Sequence, residues 1–141
     1  MKTVFEEIGI STKKEFELVD VTERVSAIVD KSGIRNGMVL VYSPHTTGLV
    51  RISESEPGLL EDYKDAFDNM IPRSLNYRHN KTNVDSRPNA HSHLRSMLVN
   101  SSEAIPLRNG KMMLGMWQTI FFVEFDGARP GRKLTVEVMG E

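Results

Sequence analysis

The pattern of apolar positions predicts eight strands along the chain. Runs of alternating or continuous apolar residues are typical of strands, and they occur at residues 3–9, 14–20, 38–42, 49–53, 102–107, 111–114, 117–125 and 134–138. The run at 38–42 is unbroken, as in buried strands. The longest run, 117–125, predicts a central strand, and we expect Trp117 in the core or in a subunit interface. Asn109 and Gly110 form a turn signal that predicts a hairpin.

Helical spacing of apolar residues predicts three helices, at residues 21–32, from Pro57 to just before Pro72, and at about 90–99. Asp20 and Glu23 fit a capping box at the start of the first helix, and Gly33 suits its C-terminal end. Asn89 is the predicted N-cap of the third helix. The apolar residues expected on the buried face of that helix are Ala90, Leu94, Met97 and Leu98.

Strands and helices follow one another without a repeating strand–helix order. This predicts an α+β fold with a mixed or antiparallel sheet and about three helices. No internal repeat or linker-like segment interrupts the chain, so we expect one compact domain over residues 1–141. The segment 72–88 is rich in Arg, Asn, Ser and Pro and has no periodicity. A loop of this length in a compact domain is usually functional or disordered.

The composition of the chain excludes some classes of ligand and metal site. The 141 residues carry a net charge of −1, so no strong field attracts nucleic acid or an anionic membrane. The absence of cysteine excludes disulfides and zinc–thiolate sites, and any bound metal must be held by His, carboxylate or water. The N-terminal residues lack the apolar segment of a signal peptide, and no run is long enough to cross a bilayer. We therefore expect a cytoplasmic protein.

The segment 43–48, Ser-Pro-His-Thr-Thr-Gly, is the strongest candidate for chemistry. It leaves a predicted buried strand and holds His45 among hydroxyl side chains, where a rigid element fixes the imidazole and a loop exposes it. Thr46 and Thr47 are either ligand contacts or turn formers.

Three further histidines lie downstream, and their spacing limits how they can act. His91 and His93 are two residues apart on a predicted helix, so they point about 160° away from each other. At most one of them can join a site with His45 and His79. The alternative for each histidine is a surface or hydrogen-bonded side chain that holds no ligand.

Glu124 interrupts an otherwise apolar strand and shares a face with Ile120 and Phe122. A carboxylate in such a place costs free energy unless it is paired. The candidate partners are Arg51, Arg129 and Arg132. Either a structural salt bridge or a functional role accounts for Glu124.

The basic residues near the C-terminus are Arg129, Arg132 and Lys133. With those of the segment 72–88 they could bind an anion such as phosphate. The alternative is a solvated basic surface. No Walker loop, dinucleotide fingerprint or nucleophile elbow occurs in the sequence.

Five short motifs occur in the order in which one family carries them: His45–Leu49, Asn89–Leu94, Gly115–Gln118, Glu124–Arg129 and Gly140–Glu141. Together they resemble the YjbQ family (UPF0047), whose members are described as secondary thiamine-phosphate synthases. The resemblance spans almost the whole chain. The chain departs from the family pattern at four positions, where Ser53 stands for Asn, His91 for an acidic residue, Met116 for Thr and Ala128 for Pro.

The resemblance implies a compact α+β subunit that assembles as a homotrimer, with a metal site made by His45, His79 and His93. Of the helical pair, His93 and not His91 matches the family's histidine. Three neutral imidazoles and a water would suit a divalent metal, zinc above all. The implied catalytic residues are His45, His93, Glu124 and Arg129. The implied substrate contacts are Thr46, Thr47, Asn89 and Gln118.

By resemblance, the reaction would join a hydroxymethylpyrimidine diphosphate to a thiazole phosphate and release pyrophosphate, as a main or a side activity. This chemistry requires a site for two anions and stabilisation of the departing pyrophosphate. Two alternatives stay open. One is a metal-dependent hydrolase of a small phosphate or ester that uses the same ligands. The other is a non-enzymatic trimer that binds a metal or an anion.

Overall fold

Two antiparallel sheets and four helices make up the computed structural model, which describes residues 1–141. The strands are β1 (Lys2–Ile10), β2 (Glu17–Asp20), β3 (Gly37–Tyr42), β4 (Gly48–Ser53), β5 (Ser102–Arg108), β6 (Lys111–Met112), β7 (Thr119–Glu124) and β8 (Arg132–Gly140). The helices are α1 (Thr22–Ser32), α2 (Pro57–Met70), α3 (His79–Thr82) and α4 (Ala90–Ser96). The predicted α+β class is confirmed. None of the helices combines the length and the apolar character that crossing a membrane requires.

The larger sheet has the strand order β1-β8-β3-β5-β6, and the smaller sheet has the order β2-β7-β4. Alternate residues of β8, namely Leu134, Val136 and Val138, are fully buried, as expected for a strand flanked by β1 and β3. They belong to a cluster of 17 buried apolar residues to which α1 contributes Val25 and β7 contributes Phe122. The main core is therefore shared by both sheets and α1.

The other face of the smaller sheet is covered less completely, by α2. Leu49, Phe121, Val123 and Phe125 form a separate apolar cluster on this face. The predicted apolar stripe of α2 packs there, but none of the helix residues is fully buried and Met70 is 60 % exposed. The helix therefore leaves open grooves between itself and the sheet.

The ends of α1 follow the sequence signals only in part. Gly33 adopts the left-handed conformation, with φ at 68°, and closes the helix as predicted. The predicted capping box is wrong, because Asp20 is still the last residue of β2 and Val21 is the N-cap. The Asp20 carboxylate nevertheless accepts a hydrogen bond from the Thr22 amide at 2.9 Å. Glu23 makes no return hydrogen bond.

The buried side of α4 is mainly polar, and the predicted apolar face is wrong except for Ala90, which is buried. Leu94, Met97 and Leu98 are exposed. The buried residues of this helix are Ala90, His91, Ser92, Arg95 and Ser96. Their polar side chains tolerate burial because they have partners, as when the Ser92 hydroxyl donates to the Phe125 carbonyl at 2.6 Å.

Several elements differ in extent from the prediction. The strand predicted at 14–20 is confined to Glu17–Asp20, the strand predicted at 111–114 to Lys111–Met112, and the helix predicted at about 90–99 to Ala90–Ser96. Strand β7 begins only at Thr119. Trp117 lies before it and is 70 % exposed, so it is not a core residue of the protomer. The predicted loop at 72–88 contains the single turn of α3, which begins at His79.

Candidate functional site

A polar cavity of about 320 Å³ opens beside the loop between β3 and β4. The loop after β7 and the start of α4 supply the other walls. The lining residues are Pro44, His45, Thr46, Thr47, Asp85, Asn89, His93, Asp126, Arg129 and Arg132. Apart from Pro44, every one of these side chains is polar. We call this space the arginine cavity.

Glu124 lies behind the arginine cavity, fully buried at 0 % exposure. The Arg132 guanidinium donates to both of its carboxylate oxygens, from Nε at 2.9 Å and from Nη2 at 2.5 Å. The Thr12 hydroxyl and the Asp126 amide donate to the same carboxylate, each at 2.9 Å. Nη2 of Arg132 also donates to the Thr47 hydroxyl at 2.9 Å. Four donors thus offset the cost of burying Glu124 and fix the Arg132 side chain in the cavity wall.

Asp126 is the second carboxylate of this wall, and it is 6 % exposed. It accepts hydrogen bonds from Arg129 at 2.8 Å, from Asn89 at 2.9 Å and from Arg87 at 3.0 Å. Burial by itself raises the pKa of the Asp126 carboxyl, but these three donors outweigh burial and hold the pKa below its ordinary value. Asn89 is the N-cap residue of α4. Its side chain serves this carboxylate and does not cap the helix.

Arg129 and Arg132 both line the cavity, and each has one side-chain nitrogen without a hydrogen bond. Their Nε and Nη2 groups donate to Asp126 and Glu124, but Nη1 makes no hydrogen bond in either residue. Neither Nη1 atom is buried without a partner, so both have solvent access. Two pre-positioned guanidinium groups with unused N–H donors are suited to a phosphate or carboxylate.

His45 is held by the backbone of β8. Its Nε2 lies 3.0 Å from the Lys133 amide nitrogen, which donates to it, and 3.1 Å from the Lys133 carbonyl oxygen. The backbone of Lys133 therefore engages Nε2, and Nδ1 is the ring nitrogen without a partner. Burial, and next the positive charge of Arg132, lower the pKa of His45. The imidazole is therefore neutral at pH 7.

His79 and His93 contact each other directly. Their ring centroids are 4.8 Å apart and the rings are close to perpendicular, at 75°. Burial, and next the neighbouring His79, lower the pKa of His93. A second polar cavity of about 340 Å³ lies beside this pair and shares Asp85, Asn89 and His93 with the arginine cavity. His93 therefore lies between the two spaces.

The three predicted metal ligands come near one another without forming a metal-binding group. His45 shares the arginine cavity with His93, and His93 contacts His79. The structure nevertheless contains no set of three or more His, Cys, Asp or Glu side chains placed to hold one ion. The Nε2 atom of His45 is also engaged by the backbone. The arrangement does not fit a zinc site made of three imidazoles, and the metal stays a prediction.

His91 faces away from both cavities, as the helix geometry predicts for a residue two positions from His93. It is 2 % exposed, and its Nε2 lies 2.6 Å from Glu15 Oε1. Its Nδ1 is buried and has no partner. Glu15 also pairs with Arg73, so this basic residue of the segment 72–88 serves another part of the molecule and does not line the arginine cavity.

Gly127 permits a close backbone approach next to Asp126. Its amide donates to the Glu15 carbonyl at 3.1 Å. A Cβ atom at position 127 would lie 1.9 Å from the Lys14 carbonyl oxygen, which is far below any contact distance. A side chain here would therefore push the turn after β7 away from the backbone at 14–15.

With this geometry established, the chain can be compared with known proteins. A family model described as UPF0047 protein YjbQ-like matches residues 6–141, a range that includes every residue lining the arginine cavity.

The chain belongs to the YjbQ/UPF0047 family.

Relatives in this family cover nearly the whole sequence. A UPF0047 protein of Methanothermobacter thermautotrophicus is 40% identical over 141 residues, which is 100% of this chain and 95% of the relative. The UPF0047 protein YugU of Bacillus subtilis is 34% identical and covers 94% of this chain and 97% of its own. Among solved structures, a YbjQ-like protein of unknown function from Sulfolobus solfataricus P2 has a TM-score of 0.93 and 41% identity, with 99% of each chain covered.

Three predicted site residues of this YjbQ-family chain do not line the arginine cavity: Glu124 lies behind it, His79 lines the second cavity, and Gln118 lies away from both. Gln118 is exposed, and its side-chain oxygen accepts from the Gly115 amide at 2.7 Å, away from the lining residues. Thr12, Asp85 and Asp126 were not predicted. Asp126 carries a detectable signal, because it continues the same strand face as Glu124 two residues on. Thr12 has no comparable signal, because its role depends on a contact across 112 positions of the chain.

Proposed function

We propose that the arginine cavity binds the phosphate end of a small phosphorylated substrate. The observation that carries this proposal is the pair of unused Nη1 groups on Arg129 and Arg132, each held in place by a buried carboxylate. The formal charges of the lining residues cancel, because Asp85 and Asp126 balance the two arginines. Selection for an anion therefore depends on where the donors lie and not on net charge.

The reaction proposed first is the one that the family resemblance implies. The thiazole nitrogen attacks the methylene carbon of the pyrimidine, the carbon–oxygen bond breaks, and pyrophosphate leaves with the electron pair. Arg129 and Arg132 would stabilise the charge on the leaving group, with Thr46, Thr47 and Asn89 as further contacts. The cavity offers no apolar wall for two heterocyclic rings apart from Pro44. We therefore propose thiamine-phosphate formation as a side activity of this site.

The roles proposed for the remaining predicted residues follow from their positions. Burial lowers the pKa of His93, so we propose its neutral imidazole as the proton acceptor of the site. We propose His45, whose Nε2 is engaged by the Lys133 backbone, as a contact to the substrate through Nδ1. Glu124 does not line the cavity. We propose it as a positioning residue that acts through Arg132.

Hydrolysis of a small phosphate ester is a second candidate. The neutral imidazole of His93 next to two guanidinium groups offers a general base beside an anion site, and the polar lining suits water as the nucleophile. This candidate differs from the first in needing no room for a second organic substrate.

A divalent metal is a separate proposal. His79 and His93 would supply two ligands to zinc, and water or substrate would supply the others. Elemental analysis of the purified protein is the test. We expect metal in the wild type and in His91→Ala, and its loss in His79→Ala and His93→Ala. Equal metal content in all four proteins would contradict the proposal.

We also propose that the chain forms a homotrimer, as the family resemblance implies. Support comes from large apolar side chains that the protomer leaves exposed, which is typical of surfaces that pack against another subunit. The most exposed of them include Met97 at 83 %, Met116 at 87 % and Trp117 at 70 %.

The central experiment measures the binding of inorganic phosphate and pyrophosphate by calorimetry. Arg129→Ala removes one of the two available Nη1 groups, and its side chain is about one-third exposed at 32 %, so the fold should tolerate the change. We expect the variant to bind at least about tenfold more weakly, as for the loss of one charge-assisted hydrogen bond. Turnover of thiamine precursors and of simple phosphate esters is then assayed on the same proteins.

The matched control is Arg108→Ala, which removes an exposed arginine of β5 outside the cavity. Its phosphate affinity should equal that of the wild type. Equal affinities in Arg129→Ala and the wild type would overturn the assignment of the anion site. Normal binding without turnover would leave a binding protein and exclude both reactions tested.

A further inference from the structure

We propose that the groove between β2 and α2 is a second ligand site, for a small amphipathic anion with one acidic group and an apolar body. The groove has a volume of about 540 Å³, which is in the range of small-molecule sites. It shares no lining residue with the arginine cavity. The proposal is therefore independent of the function proposed for that cavity.

The apolar part of the groove is made by Phe16, Leu18 and Leu60. Phe16 is only half-buried, yet its ring is fixed by contacts with Phe67 and Phe125, at centroid distances of 5.8 Å and 5.7 Å. The space exists because α2 does not close over the sheet. A ring or a short alkyl chain placed there would cover apolar surface that water now contacts.

Arg95 supplies a charged group that is built into the groove. Its side chain is only 3 % exposed. Nε donates to the Ile71 carbonyl at 3.1 Å, and Nη2 donates to the same carbonyl at 2.8 Å and to Asp68 at 3.0 Å. Nη1 makes no hydrogen bond and is not a buried atom without a partner, so it has solvent access. This nitrogen is the proposed donor to the ligand's acidic group.

The local charge balance favours an anion at this end of the groove. Asp68 is shared by two cations. Lys64 Nζ lies 2.6 Å from its Oδ2, and Arg95 Nη2 lies 3.0 Å from its Oδ1. The set therefore carries one positive charge in excess. Three further acidic residues, Glu15, Glu17 and Glu61, also line the groove, and Lys14 and Arg73 offset two of them. The acidic residues disfavour ligands with several acidic groups, so we expect a single anionic end.

The test measures how the full native chain binds the probe 1-anilinonaphthalene-8-sulfonate. This probe has one sulfonate and an apolar body. Fluorescence titration gives its affinity, and backbone and side-chain NMR locates it. We expect saturable binding, with the shift changes of the wild type concentrated on Phe16, Leu18 and Leu60. Shift changes confined to the exposed residues around Trp117 would overturn the proposal.

Two charge reversals on exposed lysines sharpen the test. Lys64→Glu reverses one of the two positive charges that flank Asp68, whereas Lys31→Glu makes the same change on α1, outside the groove. We expect Lys64→Glu to bind the probe about fivefold more weakly and Lys31→Glu to bind it as the wild type does. Equal affinity in the two variants would refute the role of the positive charges that flank Asp68. Circular dichroism checks that both remain folded.

Discussion

The two walls of the arginine cavity are built in different ways. One wall comes from β7, β8 and the turn between them, and its charged groups are buried and paired, as Glu124 is with Arg132. The other wall comes from α4 and the segment before it. It carries His93, whose ring contacts His79 of α3 outside the cavity and makes no side-chain hydrogen bond. The first wall is held by many hydrogen bonds, and the second is held by few.

The two walls therefore have different roles: one positions charged groups, and the other carries an imidazole that can take up a proton. Several donors satisfy the carboxylates of Asp126 and Glu124, and these bonds hold the side chains of Arg129 and Arg132 in one orientation. Burial is the largest cause that lowers the pKa of His45 and of His93, so both imidazoles are neutral at pH 7 and gain a proton only below about pH 6.5. The strand wall is suited to hold an anion, and the helix wall is suited to exchange a proton.

We expect the largest effect from a substitution of Glu124, which disrupts the wall made by β7 and β8. Glu124→Ala leaves the Arg132 guanidinium buried without its carboxylate, which should lower the free energy of unfolding by about 3–5 kcal/mol. Urea denaturation followed by circular dichroism measures the loss. Replacing both partners, as in Glu124→Leu with Arg132→Met, should recover most of it, because no charge is then left unpaired. A loss in Glu124→Ala no larger than in the double variant would contradict this account.

A smaller effect concerns the helix wall and pH. The folded pKa of His93 is below the value of about 6.5 that it takes in the unfolded chain. Between these two pKa values the unfolded state binds more protons. The contribution of His93 to stability is therefore complete above about pH 6.5 and falls as the pH drops through the folded pKa.

NMR titration of the His93 ring protons is the measurement. The midpoint should lie below about pH 6.5, and His79→Ala should raise it because the neighbouring imidazole is one of the causes of the shift. Asp126 and Asp85 act in the opposite direction and are unchanged in that variant. A midpoint at or above the unfolded value would remove the basis for a proton role of this wall.

Patterns within one element were predictable, and contacts between distant elements were not. The apolar alternation of β8 and the left-handed Gly33 depend on local chemistry, and both appear in the structure. The face of α4 was mispredicted because its buried polar side chains have partners elsewhere, such as Glu15 for His91 and Asp68 for Arg95. Apolar periodicity does not register such pairs.

The same distinction applies to the candidate site. A carboxylate inside an apolar strand signals a partner, and Arg132 was one of three arginines that could supply it. The sequence alone does not choose among them, because the choice depends on how β7 and β8 are joined. Thr12 joins the network from the other end of the chain, and nothing in its local sequence indicates this.

The tight backbone approach at Gly127 has a consequence for how the chain can vary. The amide of this residue joins the turn that carries Asp126 to the Glu15 carbonyl, and Glu15 lines the groove beside α2. One position thus borders both the anion wall and the proposed second site. A methyl group at position 127 would displace both surfaces at once. A substitution at this position therefore cannot change one surface and leave the other unchanged.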